Sequence, residues 1–150
     1  MNPFSAVLQF PPPSPAQSEA WLRDKLAHYA DAWDVAQDLA AGVAAIVVLD
    51  VRSAEQYRAG HIPGALSFPH RTMTAETLAA LPREKVYITY CDGIGCNGST
   101  RGAWKLAAAG FQVKELIGGL DFWQRDSHPI VTGDNAGQWP AAGTLSDCGC

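Results

Sequence analysis

The run Ala45-Ile46-Val47-Val48-Leu49 constrains this chain most: five consecutive apolar residues, with no alternation that would leave one face polar. A continuous β-branched run of this kind suits a strand covered on both faces, as in a parallel sheet packed between helices. Further apolar runs recur at Ala65 to Phe68, Val86 to Tyr90 and Val113 to Leu116. The segments between them carry helix signals. Ser53 with Gln56 three residues on, then Gly60, spells a short capped helix. Thr74 to Leu81 reads as a helix halted by Pro82. A helix from about Ser99 to Ala109 closes at Gly110. Gly118-Gly119 is a turn before a short helix through Trp123. Upstream, Ser14-Pro15-Ala16-Gln17 is a helix start, with Leu22, Leu26 and Tyr29 following at helical spacing. Asp34, with Gln37 three residues later and Gly42 as a stop, opens another helix. Strands alternating with helices predict an α/β domain whose parallel sheet has helices on both faces.

At 150 residues this is one domain, large enough to bury a core without disulfides or a metal. Residues 1–13 read as an extended, proline-rich lead, 14–130 as the folded domain and 131–150 as an irregular tail. The formal charge of -4 comes with no basic stripe, so no nucleic-acid partner is expected. No apolar run reaches membrane-spanning length, and the first residues lack a basic region followed by an apolar one. A cytoplasmic location is therefore expected. There the four cysteines, Cys91, Cys96, Cys148 and Cys150, are expected as reactive or metal-binding thiols rather than structural disulfides.

Chemistry concentrates in Tyr90-Cys91-Asp92-Gly93-Ile94-Gly95-Cys96-Asn97-Gly98-Ser99-Thr100-Arg101. A cysteine at the carboxyl end of a parallel strand lies at the ligand edge of an open α/β sheet. The three glycines of the following loop let backbone N–H groups converge on one point, and the helix beginning near Ser99 adds its positive end. Both favour a thiolate and offer a cradle for an anionic substrate or a persulfide. A small apolar cysteine at a strand end is the plain alternative. A phosphate-binding loop would need a glycine-lysine-serine/threonine signature, which is absent.

Asp50-Val51-Arg52, Glu55 and Gly60-His61-Ile62-Pro63-Gly64-Ala65 resemble the paired signature of the rhodanese family. Tyr90-Cys91 with its glycine loop resembles that family's catalytic loop, and Gly110-Phe111, Leu116-Ile117-Gly118-Gly119 and Trp123 resemble its closing motif. The resemblance runs over roughly residues 34–130. It implies a three-layer fold around a five-stranded, mainly parallel sheet, and transfer of sulfane sulfur from a donor such as thiosulfate to a thiol or cyanide through a cysteine persulfide. Neither a cofactor nor a resident metal is implied; a protein is a further candidate acceptor. The common single-domain form has a shorter loop than the one counted here from Cys91. A loop counted from Cys96 is shorter than the family's, so Cys96-Asn97-Gly98-Ser99-Thr100-Arg101 is an alternative reading. Cys91 is favoured as nucleophile because it directly ends the apolar strand, and the longer loop resembles a subgroup with a second cysteine inside it. Cys96 is then expected to attack an oxidised or persulfidated Cys91.

Around this loop, Asp50 and Arg52 are expected to orient the turn after their strand, with an ion pair to Glu55, and His61 to pack near its own turn. His70 and Arg71 follow a strand end on the same edge as Cys91; they either line the pocket or form a solvated pair. Arg101, in the first turn of its helix, is an anion-binding candidate. Two other functions stay open. A cysteine-dependent phosphatase or arsenate reductase needs an arginine closing the loop, and counted from Cys96 that position is Gly102. A redox or metal-binding module without turnover would use the loop thiols or the terminal Cys148-Gly149-Cys150. That tail is also a candidate sulfur acceptor, with Trp139 and Pro140 holding it to the domain.

Overall fold

A computed structural model describes residues 3–140. Helix α1 (Pro15–His28) begins at a reciprocal cap: the Ser14 hydroxyl accepts from the Gln17 amide, and the Gln17 side chain accepts from the Ser14 N–H. Before it, the expected extended lead contains a single 3-10 turn at Val7–Gln9. Tyr29, at helical spacing in the sequence, leaves the helix and opens a two-residue strand, β1 (Tyr29–Ala30). Helix α2 (Ala32–Ala41) starts three residues earlier than Asp34 suggested. Asp31 is its cap, accepting the Asp34 N–H at 2.7 Å, and Gly42 ends it at φ 70°.

The remaining elements are β2 (Ile46–Asp50), α3 (Ala54–Ala59), β3 (Leu66–Ser67), α4 (Ala75–Leu78), β4 (Val86–Tyr90), α5 (Gly98–Ala108), β5 (Gln112–Leu116) and α6 (Gly119–Arg125). Helix α4 is shorter than the expected Thr74 to Leu81. The five strands form one sheet in the order β1-β5-β4-β2-β3, every pair parallel.

Successive residues of the central strands feed opposite cores, as a doubly covered sheet requires. Val48, Ile88, Tyr90 and Leu116 pack with Val35, Ala36, Leu120 and Trp123 of α2 and α6. Leu49, Val51 and Tyr87 pack with Leu78, Leu106 and Phe111 on the other face. The sheet is thus the middle of three layers. Its register sets Asp50 beside Tyr90, so β2 and β4 end level and release their following loops side by side. Among the described residues no helix is long and apolar enough to cross a membrane.

Residues 131–140 contain no helix or regular strand, yet they are packed against the domain. Val131 and His61 exchange both backbone hydrogen bonds at 2.9 Å, Gly64 N–H donates to Ala136 O, and Trp139 meets Trp123 edge-on with centroids 6.1 Å apart. His61 is fully buried and stacks on Tyr57, its ring nitrogens 2.8 Å from Tyr57 O and 3.0 Å from Asn135 O. Cys148 and Cys150 lie outside the described residues.

Candidate active site

Cys91 is the first residue after β4 and is only 5% exposed. The base of its loop is stitched to the start of α6: Leu120 N–H donates to Cys91 O at 3.0 Å and Asp121 N–H to Asp92 O at 2.8 Å. This close approach explains Gly119. Its φ is 61°, and a Cβ there would stand 2.5 Å from Cys91 O, so only glycine lets the backbones meet.

A buried ionic network fixes the other side. Arg52 donates to both carboxylate oxygens of Asp50, at 3.0 and 2.7 Å, to Asp92 at 3.0 Å and to Gly60 O at 2.6 Å. Gln56 also donates to Asp92, and the Tyr90 hydroxyl donates to Asp50 at 2.9 Å while accepting from Ile62 N–H. The ion pair expected between Arg52 and Glu55 is not formed. Glu55 is exposed in the first turn of α3, whereas Asp50 and Asp92 converge on the guanidinium from two strand ends. Burial alone would lower the Arg52 pKa, but hydrogen bonds and charge from Asp50, with help from Asp92, push it up. The charge of Arg52 is thereby paired, and the guanidinium holds Asp92, the residue next to Cys91.

Cys91 and Cys96 are joined by a disulfide, with Cα atoms 6.4 Å apart. Gly98, the first residue of α5, leaves the space both sulfurs occupy. A Cβ on it would lie 2.9 Å from Cys91 Sγ, 3.4 Å from Cys96 Sγ and 3.5 Å from the His70 ring. Asn97 makes no side-chain cap; its carboxamide oxygen accepts from Arg101 instead, at 3.2 Å. The first amides of α5 therefore face the loop without a side-chain cap, and Gly98 N–H points to Cys96 Sγ at 3.4 Å. Gly98→Ala is expected to cost about 1–3 kcal/mol of stability through crowding of the two sulfurs, and to slow reaction at Cys91 by on the order of 10²-fold through their displacement. Melting curves and single-turnover kinetics of the variant check this.

A cleft of about 360 Å³ opens above Cys91, lined by Arg52, His70, Arg71, Asp92 and Cys96 among others. The sequence left His70 and Arg71 undecided between pocket and solvent, and both line this cleft. Burial, then the charges of Lys105, Arg71 and Arg101, hold the His70 pKa below its ordinary value. Lys105 also donates to His70 O at 2.6 Å. Arg71 lines this cleft, and Lys105 and Arg101 add positive charge near His70 from outside it, which favours an anion there. A bound dianion is accordingly expected to raise the His70 midpoint; NMR titration with and without sulfate measures it, and an unmoved midpoint would sink the assignment. The sign for stability follows from linkage. The folded ring takes up its proton less readily than the unfolded chain, so stability falls as pH drops below the usual histidine value. His70→Gln should reduce that slope, leaving the part due to His128, whose pKa burial also lowers.

The other loop residues turn elsewhere. Ser99 and Thr100 donate their hydroxyls to Glu115, at 3.0 and 2.6 Å. Gly93, Ile94 and Cys96 border a second, larger cleft of about 880 Å³, walled by Trp21, Lys25 and His28 of α1 together with Thr100 and Glu115. Gly95 is exposed and has open space around its Cα. The sequence reading overlooked Lys105, Gln56 and Glu115. Lys105 follows Arg101 by four residues, a spacing that puts both on one helix face and could have marked it. Gln56 and Glu115 could be assigned only from contacts across the fold.

Together these features define a thiol-based α/β domain: a cysteine at the carboxyl edge of a parallel sheet, under a helix N-terminus, facing a cationic cleft. The chain belongs to the rhodanese-like domain family, whose family model matches residues 32–126. The BH2092 protein of Bacillus halodurans is 40% identical, with a TM-score of 0.77 over 79% of this chain and 87% of that one. HTH-type transcriptional regulator Rv0324 of Mycobacterium tuberculosis is 34% identical over 92 residues; the match covers 61% of this chain and 40% of that protein. The chain thus spans less than half of that curated relative. A thiosulfate sulfurtransferase from Pseudomonas aeruginosa, 24% identical, shares the fold with a TM-score of 0.60 over 72% of this chain and 20% of its own.

Proposed function

We propose that the chain is a sulfurtransferase that carries sulfane sulfur on Cys91. The observation behind this reading is Cys91 itself, set in a small cleft with His70 and Arg71 and with the charges of Arg101 and Lys105 nearby. Arg71 in the cleft, with Arg101 and Lys105 nearby, suits a divalent oxyanion. With the loop reduced, the Cys91 thiolate attacks the outer sulfur of thiosulfate. The S–S bond of thiosulfate breaks, and sulfite leaves with the electron pair. The resulting persulfide anion lies against the uncapped amides of α5. A thiolate or cyanide then attacks the outer sulfur and regenerates Cys91 as the leaving thiolate. Arg52 and Asp92 hold the loop, while Arg71, Arg101 and Lys105 attract the donor and the departing sulfite. A cytoplasmic setting, rich in thiols, keeps the loop cysteines reduced and supplies acceptors.

The test is intact mass of the reduced protein after incubation with thiosulfate, followed by peptide mapping. Sulfite release is expected from the wild type, and one added sulfur is expected on Cys91 in the Cys96→Ser variant, where no second thiol can displace it. Absence of any sulfur adduct on either loop cysteine, with sulfite and sulfide also absent from solution, would overturn the reading.

A further inference from the structure

We infer that the domain is also a sulfane-sulfur reductase: Cys96 expels the sulfur carried by Cys91 as hydrogen sulfide, and an external thiol restores the pair. This rests on the sulfurtransferase reading and adds a second outcome for the same persulfide. Three observations carry it. Cys96 reaches Cys91, since the two sulfurs are bonded. The space is built for both sulfurs, because a side chain at Gly98 would intrude on Cys91 Sγ and crowd Cys96 Sγ. And Cys96 lines both clefts, the small one containing Cys91 and the large one beside α1, whereas Cys91 lines only the small one.

The chemistry balances without an added oxidant. The Cys96 thiolate attacks the inner sulfur of the Cys91 persulfide. A disulfide forms between the two cysteines, the bond between inner and outer sulfur breaks, and the outer sulfur leaves with the electron pair as hydrosulfide. The sulfane sulfur is reduced, and the two thiols supply its two electrons. A thiol reductant then attacks Cys96 Sγ from the larger cleft, releasing the Cys91 thiolate and leaving a mixed disulfide on Cys96. A second thiol resolves that bond. The sum is thiosulfate plus two thiols giving sulfite, hydrogen sulfide and one disulfide. Attack on Cys96 is favoured because Cys96 also borders the larger cleft, which admits molecules too large for the smaller one. The departing Cys91 thiolate lies beside Gly98, the first residue of α5, and the positive end of that helix suits it as a leaving group.

The experiment is a single turnover of pre-reduced protein, freed of reductant under anaerobic conditions, with one equivalent of thiosulfate. Sulfite and sulfide are trapped and the protein is weighed intact. Wild type is expected to release one sulfide per sulfite and to end as the Cys91–Cys96 disulfide. Cys96→Ser is expected to release sulfite and no sulfide, ending with one added sulfur on Cys91. Adding dithiothreitol to the oxidised wild type should restore a second burst of equal size. Wild type that releases sulfite but keeps the added sulfur, with no sulfide burst, overturns the reductase step and leaves the transfer reading standing. Failure of both proteins to release sulfite overturns the transfer reading itself.

Discussion

Replacing Cys91 with serine is expected to lower thiosulfate-dependent sulfur transfer by about four orders of magnitude or more, the scale seen when an essential nucleophile is removed. A serine hydroxyl at neutral pH is not ionised, and oxygen cannot form the persulfide on which the second half-reaction depends. The fold is expected to survive. The change replaces sulfur by a smaller oxygen at the sheet edge, and the backbone bonds from Leu120 and Asp121 to Cys91 O and Asp92 O do not involve the side chain. Cyanide-linked transfer assays, with circular dichroism as the control for folding, check both halves of the prediction. Full activity in Cys91→Ser combined with none in Cys96→Ser would instead identify Cys96 as the nucleophile, the outcome required by a loop counted from Cys96. Cys91 is proposed as the nucleophile because it directly follows β4 and is only 5% exposed, while Cys96 lies further out in the loop.

The central architecture was legible because it is written in local signals. The apolar runs announced β2 and β4, with Val86–Tyr90 matching to the residue. Caps announced α1 and α3, where Ser14 with Gln17 and Ser53 with Gln56 form the expected reciprocal bonds. Strand β1 was hidden. It has two residues, and Tyr29 continues the helical spacing of Leu22 and Leu26; only pairing with Glu115 and Leu116 draws it into the sheet. The true cap of α2 was hidden for a similar reason, since Asp31 and Asp34 both suit a helix start and packing of Ala32 and Val35 decides between them. At the site, Cys91, Cys96, His70 and Arg71 were visible as chemistry at strand ends. What escaped was pairing between distant segments: Asp92 rather than Glu55 for Arg52, Glu115 for the hydroxyls of Ser99 and Thr100, and Lys105 beside His70. No periodicity encodes such partners, because they meet only when strand ends and helix starts are brought together in three dimensions.

The largest loss of stability is expected from Arg52→Met. Asp50 is fully buried, and Arg52 supplies two of the hydrogen bonds to its carboxylate together with the only full positive charge paired to it among the described residues. Tyr90 adds one more bond. Burial, then the charge of Asp50, push the Tyr90 pKa far upward, so it stays protonated and donates without contributing charge. Removing the guanidinium while keeping the aliphatic bulk therefore strands a carboxylate in the interior, which costs about 3–5 kcal/mol. That is a large share of the roughly 5–15 kcal/mol available to a domain. The melting temperature should fall by about 10 °C or more. Asp92 loses its charged partner in the same step and, among the described residues, keeps Gln56, so sulfur uptake by Cys91 should slow even at temperatures where the variant is folded. The double variant Asp50→Asn with Arg52→Met separates the two effects. It removes the stranded charge and is expected to recover part of the lost stability, but it leaves Asp92 without its arginine and should not recover uptake. Arg52→Met melting within about 0.5 kcal/mol of wild type, the range of ordinary surface substitutions, would mean that the network does not hold the strand ends together.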